Sequence, residues 1–349
     1  MLRNKFSHFM FVLFCVCFLV ACNFVRGETH EQIVYSLDWT LWVMNPDGSN
    51  QRQLLKPGMI GVDPQWSPDG KRILFSSNDS NGKWSVWIAD ANGQNPQAIS
   101  PAFNSVHAIW LNPNILLTRV ITDTGQTWNN PMSQFVLNLE TREMNSYLNG
   151  VETMQPLPDG NQWASWNSAS GMTIFSLSSE PKTLFRDYII SGPWCFDVSP
   201  FGDEVVFYGA QKPKQGFRLL HAIYRAKIDF LDEVVPTKII ESERPAIVRW
   251  SPDGKWIAVL DNYSKLQIIA TENNTVKNIY QIEFPPPGQD LQWSPDSVWL
   301  MFSSSDYDAS KDNRLYTITK FNRVTGESVQ IMSKNAVHWG GADWSIVEK

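Results

Sequence analysis

The chain has 349 residues, of which 43% are hydrophobic and 18% are charged. It holds enough apolar material for a large folded domain and too few charges for a disordered chain. The formal net charge of −6 argues against a nucleic-acid partner, which requires a basic face. The 20 glycines, 21 prolines and 16 tryptophans favour short strands and tight turns over helices. With 5 histidines and 4 cysteines, little material exists for metal or thiol chemistry, and we predict no cofactor.

The first 21 residues have the pattern of an export signal. Arg3 and Lys5 give a positive start without an acidic residue, and an unbroken apolar run follows from Phe9 to Val20. The run is too short for a membrane span, which needs roughly 20 residues. We therefore predict a signal peptide over residues 1–21.

The apolar run ends in the sequence LVAC (19–22), which resembles the lipobox of bacterial lipoproteins. The resemblance implies that Cys22 is acylated and becomes the first residue of the mature chain. It also implies a polar tether over 22–32. The protein would then be lipid-anchored and extracytoplasmic, in the bacterial envelope, with the periplasm as one such location. An ordinary signal peptide is the alternative. Cys195 is then the only other cysteine of the mature chain, and its aromatic surroundings (PWCFDV) predict that it is buried.

Self-similarity decides the predicted fold. Three segments are near copies of one another: PQWSPDGKRILFSS (64–77), VRWSPDGKWIAVLD (248–261) and LQWSPDSVWLMFSS (291–304). Three degenerate copies lie between them: IWLNPNILLTRV (109–120), QPLPDGNQWASW (155–166) and DVSPFGDEVVFY (197–208). The marker prolines of the six copies are 42 to 52 residues apart. This period is typical of β-propeller blades and too long for most helical repeats.

Each repeat reads as a four-stranded blade. A strand ends in Trp-Ser, Ser-Pro-Asp-Gly makes a turn, and an apolar strand follows before two looser strands. The segment from Ile33 to Leu55 holds only three strands, whereas 337–346 (VHWGGADWSI) reads as an isolated innermost strand. Pairing the two completes a seventh blade and removes the open sheet edges. We predict one all-β, seven-bladed β-propeller domain over 33–347, with six blades as the alternative.

The sequence WSPDGK followed by an apolar strand resembles the TolB-type propeller repeat, which also occurs in the propellers of prolyl-oligopeptidase-like enzymes. The resemblance covers essentially all of the mature chain, strongly in three repeats. TolB itself has a separate α/β domain, for which this chain has no room. The oligopeptidases add a hydrolase domain with a Gly-x-Ser-x-Gly elbow, which this sequence lacks. The resemblance therefore implies ligand binding rather than one particular activity.

Alternation along the innermost strands predicts which side chains line the central channel. The position before the repeat tryptophan is mostly polar and is expected to face the axis, whereas the tryptophan position is apolar and is expected to pack between blades. In chain order the axial residues are Gln65, Ile109, Pro156, Asp197, Arg249, Gln292 and Asp343. Asp197 and Arg249 come from neighbouring blades and could form an ion pair.

Asp63, His107 and Asp290 lie upstream on the same face of their strands and are expected near one mouth of the channel. These residues and the axial ones either bridge the blades as buried polar groups or grip a ligand. His107 and His338 could approach each other across the axis, but their spacing does not require a metal site, and we predict none.

Trp128 lies in a polar loop (DTGQTWNNP, 123–131). An exposed tryptophan there could stack on a sugar ring or anchor a partner. The alternative is a tryptophan folded back onto its own blade.

Two functional hypotheses follow. The first is a membrane-tethered, monomeric propeller without catalytic activity that binds an unidentified protein or peptide, because the sequence contains no nucleophile–base signature. The second is an envelope carbohydrate-binding protein or polysaccharide-acting enzyme with its site at the channel mouth. A close cluster of Asp63, His107, Arg249 and Asp290 with perturbed pKa values would favour the second.

Overall fold

The computed structural model describes residues 29–121, 132–151, 153–167, 171–190, 195–212, 219–228, 234–242, 246–261, 265–282, 291–308 and 313–348. Regular secondary structure in this part of the chain consists of β-strands. In these same ranges no helix is long and apolar enough to cross a membrane.

The strands form seven antiparallel sheets. Blade 1 contains β1 (Thr29–Leu37), β2 (Thr40–Met44), β3 (Arg52–Gln53) and the last strand, β29 (Trp339–Glu348). Blade 2 contains β4 (Val62–Trp66), β5 (Arg72–Asn78), β6 (Trp84–Asp90) and β7 (Gln97–Ala98). Blade 3 contains β8 (Ser105–Asn112), β9 (Ile115–Ile121), β10 (Met132–Asn138) and β11 (Met144–Val151). Blade 4 contains β12 (Thr153–Pro156), β13 (Gln162–Asn167), β14 (Gly171–Ser176) and β15 (Lys182–Leu184).

The other three blades follow the same plan. Blade 5 contains β16 (Tyr188–Ile190), β17 (Phe196–Val198), β18 (Glu204–Gln211), β19 (His221–Lys227) and β20 (Thr237–Glu241). Blade 6 contains β21 (Ala246–Trp250), β22 (Trp256–Asp261), β23 (Lys265–Ala270) and β24 (Val276–Gln281). Blade 7 contains β25 (Leu291–Trp293), β26 (Trp299–Asp308), β27 (Asn313–Asn322) and β28 (Ser328–Ala336). In blade 5 the innermost position is divided between β16 and β17, which both pair with β18.

The C-terminal strand closes the ring. β29 pairs antiparallel with β1, from Thr29 opposite Glu348 to Leu37 opposite Trp339. It is also in contact with β4 on one side and β25 on the other, so it is the innermost strand of blade 1. The seven-bladed propeller predicted from the repeat is confirmed. β1 begins at Thr29 rather than at Ile33, because the residues before Ile33 also pair with β29.

The Ser-Pro-Asp-Gly turn connects the first two strands of a blade through local polar bonds. In blade 2 the Ser67 hydroxyl donates to the Asp69 carboxylate at 2.5 Å and accepts from the backbone N–H of Arg72 at 2.9 Å. Gly70 has a φ of 67°, and a Cβ there would lie 2.5 Å from the carbonyl oxygen of Ile346. Both the left-handed backbone and the close approach of blade 1 therefore require glycine.

The hydrophobic cores lie between successive blades. The residues at the repeat tryptophan position are 4–7% exposed: Trp66, Trp110, Leu157, Val198, Trp250, Trp293 and Trp344. Trp66, for example, packs with Val34 and Leu41 of blade 1. The prediction that this face of the innermost strands is buried between blades is confirmed. Cys195 is buried as well, as its aromatic surroundings predicted.

Candidate functional site

The axial residues line a water-accessible channel. All seven are partly exposed, although their strands are the innermost of the ring, while the residues that follow them in sequence are buried. This alternation is what a pleated strand produces when one face meets a channel and the other meets a neighbouring blade.

Two glutamines in the channel connect one blade to the next by hydrogen bonds, and we call a side chain that does this a clasp. Gln65 of blade 2 donates its side-chain N–H to the carbonyl oxygen of Ala108 in blade 3 at 3.1 Å. Gln292 of blade 7 donates to the carbonyl oxygen of Ala342 at 3.0 Å and accepts from the N–H of Trp344 at 3.0 Å. These side chains satisfy backbone groups of the next innermost strand.

Two carboxylates also bind backbone groups of the next blade. Asp197 of blade 5 accepts from the N–H of Trp250 in blade 6 at 2.7 Å, and Asp343 of blade 1 accepts from the N–H of Trp66 in blade 2 at 2.7 Å. Although part of each residue reaches the channel, its carboxyl group is surrounded by protein. This burial raises the pKa of both carboxyls because it disfavours the charged form, and the hydrogen bonds that they accept oppose this effect. Both are therefore structural clasps between blades.

Arg249 forms hydrogen bonds within its own strand and with blade 7. Its guanidinium donates to the carbonyl oxygen of Val248 at 2.8 Å, and its own carbonyl oxygen accepts from the indole N–H of Trp293 at 3.1 Å. Its charge lowers the pKa of Asp197 against the larger effect of burial. Arg249 and Asp197, which come from neighbouring blades, therefore interact electrostatically.

Asp63 and His107 lie at the mouth of the channel. Asp63 is at a bulge in β4 with a φ of 51°, and it is exposed. His107 lies near the start of β8 in the next blade. The two positions are at the same end of the ring, because Ser76, which pairs with Val62, donates its hydroxyl to the carbonyl oxygen of Val106 at 3.3 Å.

Three polar side chains lie side by side across blade 3, starting with His107 on its innermost strand. His107 of β8 is opposite Arg119 of β9, which is opposite Gln134 of β10. Burial and the Arg119 charge lower the pKa of His107 to about 3, so its imidazole is neutral at physiological pH. Burial also lowers the pKa of Arg119, and the Asp63 carboxylate opposes that effect. The Oε1 of Gln134 accepts from the Ser165 hydroxyl of blade 4 at 3.1 Å.

Arg119 and Gln134 were not among the residues selected from the sequence. The available signal was a single charged residue within the otherwise apolar run ILLTRV (115–120). A charged side chain on a buried strand needs a polar environment, and Arg119 has one because it is opposite both His107 and Gln134.

His338 belongs to another cluster at the same end of the ring. Its ring stacks on that of Trp39, with centroids 3.5 Å apart, and the Asp38 carboxylate accepts from its backbone N–H at 3.4 Å. Asp38 and Trp39 form the β1–β2 turn with φ values of 50° and 65°, and Trp39 is 41% exposed. Within the described ranges no group of three His, Cys, Asp or Glu side chains is placed to hold a metal ion.

Three predicted functional residues lie outside the described ranges: Cys22, Trp128 and Asp290. Of the predicted mouth residues, the structure brings Asp63 and His107 to the same end of the channel and adds Arg119 beside them.

Comparisons by sequence identify no relative: no family model matches the chain, and no curated protein matches it. Solved structures do match. TolB from Acinetobacter baumannii aligns with a TM-score of 0.53 and 15% identity, over 90% of this chain and 66% of TolB, so this chain spans less than two thirds of that protein. The fold is that of a TolB-like β-propeller.

Two further matches are named as enzymes. An oligogalacturonate lyase in complex with manganese aligns with a TM-score of 0.59 and 13% identity, over 76% of this chain and 79% of the lyase. A protein from Bacteroides uniformis described as a 6-phosphogluconolactonase aligns with a TM-score of 0.57 and 15% identity, over 91% of this chain and all of that one (100%).

These enzymes overturn the prediction that the chain has no catalytic activity. That prediction relied on the absence of local nucleophile–base motifs, whereas a protein that shares this fold is named as an oligogalacturonate lyase. Side chains from several blades can meet at the axis without forming any motif in the sequence. At 13–15% identity the likeness shows the fold alone.

Proposed function

We propose that the protein is a lipid-anchored, extracytoplasmic propeller that binds a protein or peptide at the channel mouth bearing Asp63, His107 and Arg119. The lipobox-like sequence ending in Cys22 supports the anchor and the location. The buried charge and the imidazole at the mouth support the binding site.

The geometry of blade 1 supports an orientation with this mouth directed away from the membrane. β1 runs from Thr29 to the turn at Trp39, whose carbonyl oxygen accepts from the N–H of Gly61, at the end where Asp63 lies. The strand is roughly 25–30 Å long. The chain therefore enters the ring at the opposite end, and an extended segment from Cys22 to Thr29 spans at most about 25 Å.

One observation carries the choice of this mouth. Gln65, Asp197, Gln292 and Asp343 are engaged by backbone groups of the next blade. By contrast, the Nδ1 of His107 is buried and has no hydrogen-bond partner among the described residues. A buried polar atom of this kind is stabilised when a ligand supplies the missing bond.

The anchor is tested by replacing Cys22. We expect Cys22→Ala to abolish incorporation of labelled fatty acid and to move the protein out of the membrane fraction, because no acyl chain holds it there. Cys195→Ala is the matched control, since Cys195 is buried in the propeller. Unchanged fatty-acid labelling of the Cys22 variant would contradict the anchor.

The binding site is tested with His107→Ala. We expect at least a tenfold loss of affinity for partners recovered by cross-linking from envelope membranes, because the mouth loses its imidazole. Gln65→Ala is the matched control, since it removes a clasp in the same channel and leaves the mouth intact. Equal losses in the two variants, after melting temperatures have been compared, would show a structural effect and contradict the site.

A polysaccharide-acting enzyme with its site at the same mouth is the second candidate. The Arg119 guanidinium can stabilise negative charge that develops on a substrate, and the neutral His107 imidazole beside it can form a hydrogen bond that orients the substrate. The lyase neighbour suggests oligogalacturonate as the first probe. Product formation by the wild type that is lost in His107→Ala and retained in Gln65→Ala would select this candidate over simple binding.

A further inference from the structure

An open cavity lies between blades 1 and 2, at the end of the ring where the chain enters. Its volume is about 590 Å³. The side chains that matter on its wall are those of His30, Gln32, Arg52, Lys71, Asp90 and Asn92. They come from the start of β1, from β3, from the turn before β5 and from the end of β6 and the turn that follows it.

The wall of this cavity carries an excess of positive charge. Arg52 and Lys71 are both exposed cations, and among the described residues on the wall Asp90 is the one acidic side chain. The Asp90 carboxylate already accepts from the side-chain N–H of Asn95 at 2.7 Å. This local excess stands out in a chain with a formal net charge of −6.

Two polar side chains on the wall also have hydrogen-bonding groups without a described partner. The Nδ1 of His30 is buried and has no hydrogen-bond partner among the described residues. The side-chain oxygen of Asn92 accepts from the N–H of Gln94 at 2.9 Å, which leaves its amide N–H groups as donors. The guanidinium, the ammonium and the amide are donors that suit the several oxygens of a phosphate group.

We propose that this cavity binds a phosphate group, carried by a free phosphate or by the headgroup of an anionic lipid. The lipid source rests on the anchor proposed above. If Cys22 is acylated, the cavity lies close to the bilayer, because His30 is the second residue of β1 and the tether is at most about 25 Å long. Binding of a headgroup there would hold the end of the ring at which β1 begins against the membrane.

The primary test is titration of the purified full-length protein, in neutral detergent, with inorganic phosphate. We expect saturable binding by calorimetry that weakens at least tenfold in Arg52→Ala/Lys71→Ala. The matched control is Lys238→Ala/Lys255→Ala, which removes the same charge from the equivalent places on blades 5 and 6: the fourth strand and the Ser-Pro-Asp-Gly turn. No saturation in the wild type, or equal weakening in the control, overturns the proposal, as does equally tight binding of acetate.

A second measurement distinguishes the two sources. Acetylation of Lys71 is compared with that of Lys255 in protein reconstituted in phosphatidylglycerol or phosphatidylcholine vesicles. Several-fold protection of Lys71 in phosphatidylglycerol alone assigns the site to a headgroup, whereas phosphate binding without protection assigns it to a free phosphate. The phosphate titration does not depend on the anchor, so a failure of the Cys22 proposal is recognised separately.

Discussion

Trp344→Ala is expected to lower the free energy of unfolding by about 3–5 kcal/mol, the usual range for truncation of a buried tryptophan. Trp344 is 6% exposed on the closing strand β29 and packs with Ile33 and Met301 of the two blades that meet there. Its indole N–H also donates to Glu31 at 3.0 Å. Urea denaturation measures the loss as a lower midpoint at an unchanged slope.

Ile346→Ala is the control for this prediction, because Ile346 is on the same strand and 48% exposed. A surface truncation of this kind changes stability by roughly 0.5 kcal/mol or less. Similar midpoints for the two variants would mean that β29 does not close the ring in the way described.

Asp343→Ala is expected to lower the free energy of unfolding by about 1–3 kcal/mol, because the N–H of Trp66 loses the acceptor that joins blade 1 to blade 2. The control is Asp47→Ala, an exposed carboxylate that accepts from the N–H of Ser49 at 2.9 Å. Water replaces that acceptor, so little change is expected. Urea midpoints at pH 4 compare the two, and a neutral effect of Asp343→Ala at that pH would contradict a clasp at this position.

The effect of Asp343→Ala is also expected to depend on pH. Burial raises the pKa of Asp343 in the folded state above the unfolded value of about 3.9. Below the unfolded value the carboxyl makes its full contribution to stability, and this contribution is lost as the pH rises through the folded-state pKa. The destabilisation by alanine should therefore be larger at pH 4 than at pH 7.5. A larger effect at pH 7.5 would show that hydrogen bonding outweighs burial.

The channel residues show which features of the site the sequence patterns predict and which they do not. Alternation placed Gln65, Asp197, Gln292 and Asp343 on the channel face, because strand geometry fixes which side chains share a face. The partner of each side chain depends on how the next blade is staggered, which no local pattern encodes. His338 shows the same limit, since its stacking on Trp39 of the β1–β2 turn follows from the folded turn and not from a local sequence pattern.

By itself, the sequence determined the seven-bladed ring, its closure by the last strand and the burial of the repeat tryptophans. These features follow from a repeated period and from alternation, both of which are local properties. Only the tertiary structure decided which polar residues are occupied as clasps, that Arg119 lies beside His107, and that Arg52 and Lys71 share a cavity with His30. Those juxtapositions join residues from different strands or blades, and their distances are set by how the sheets pack around the axis.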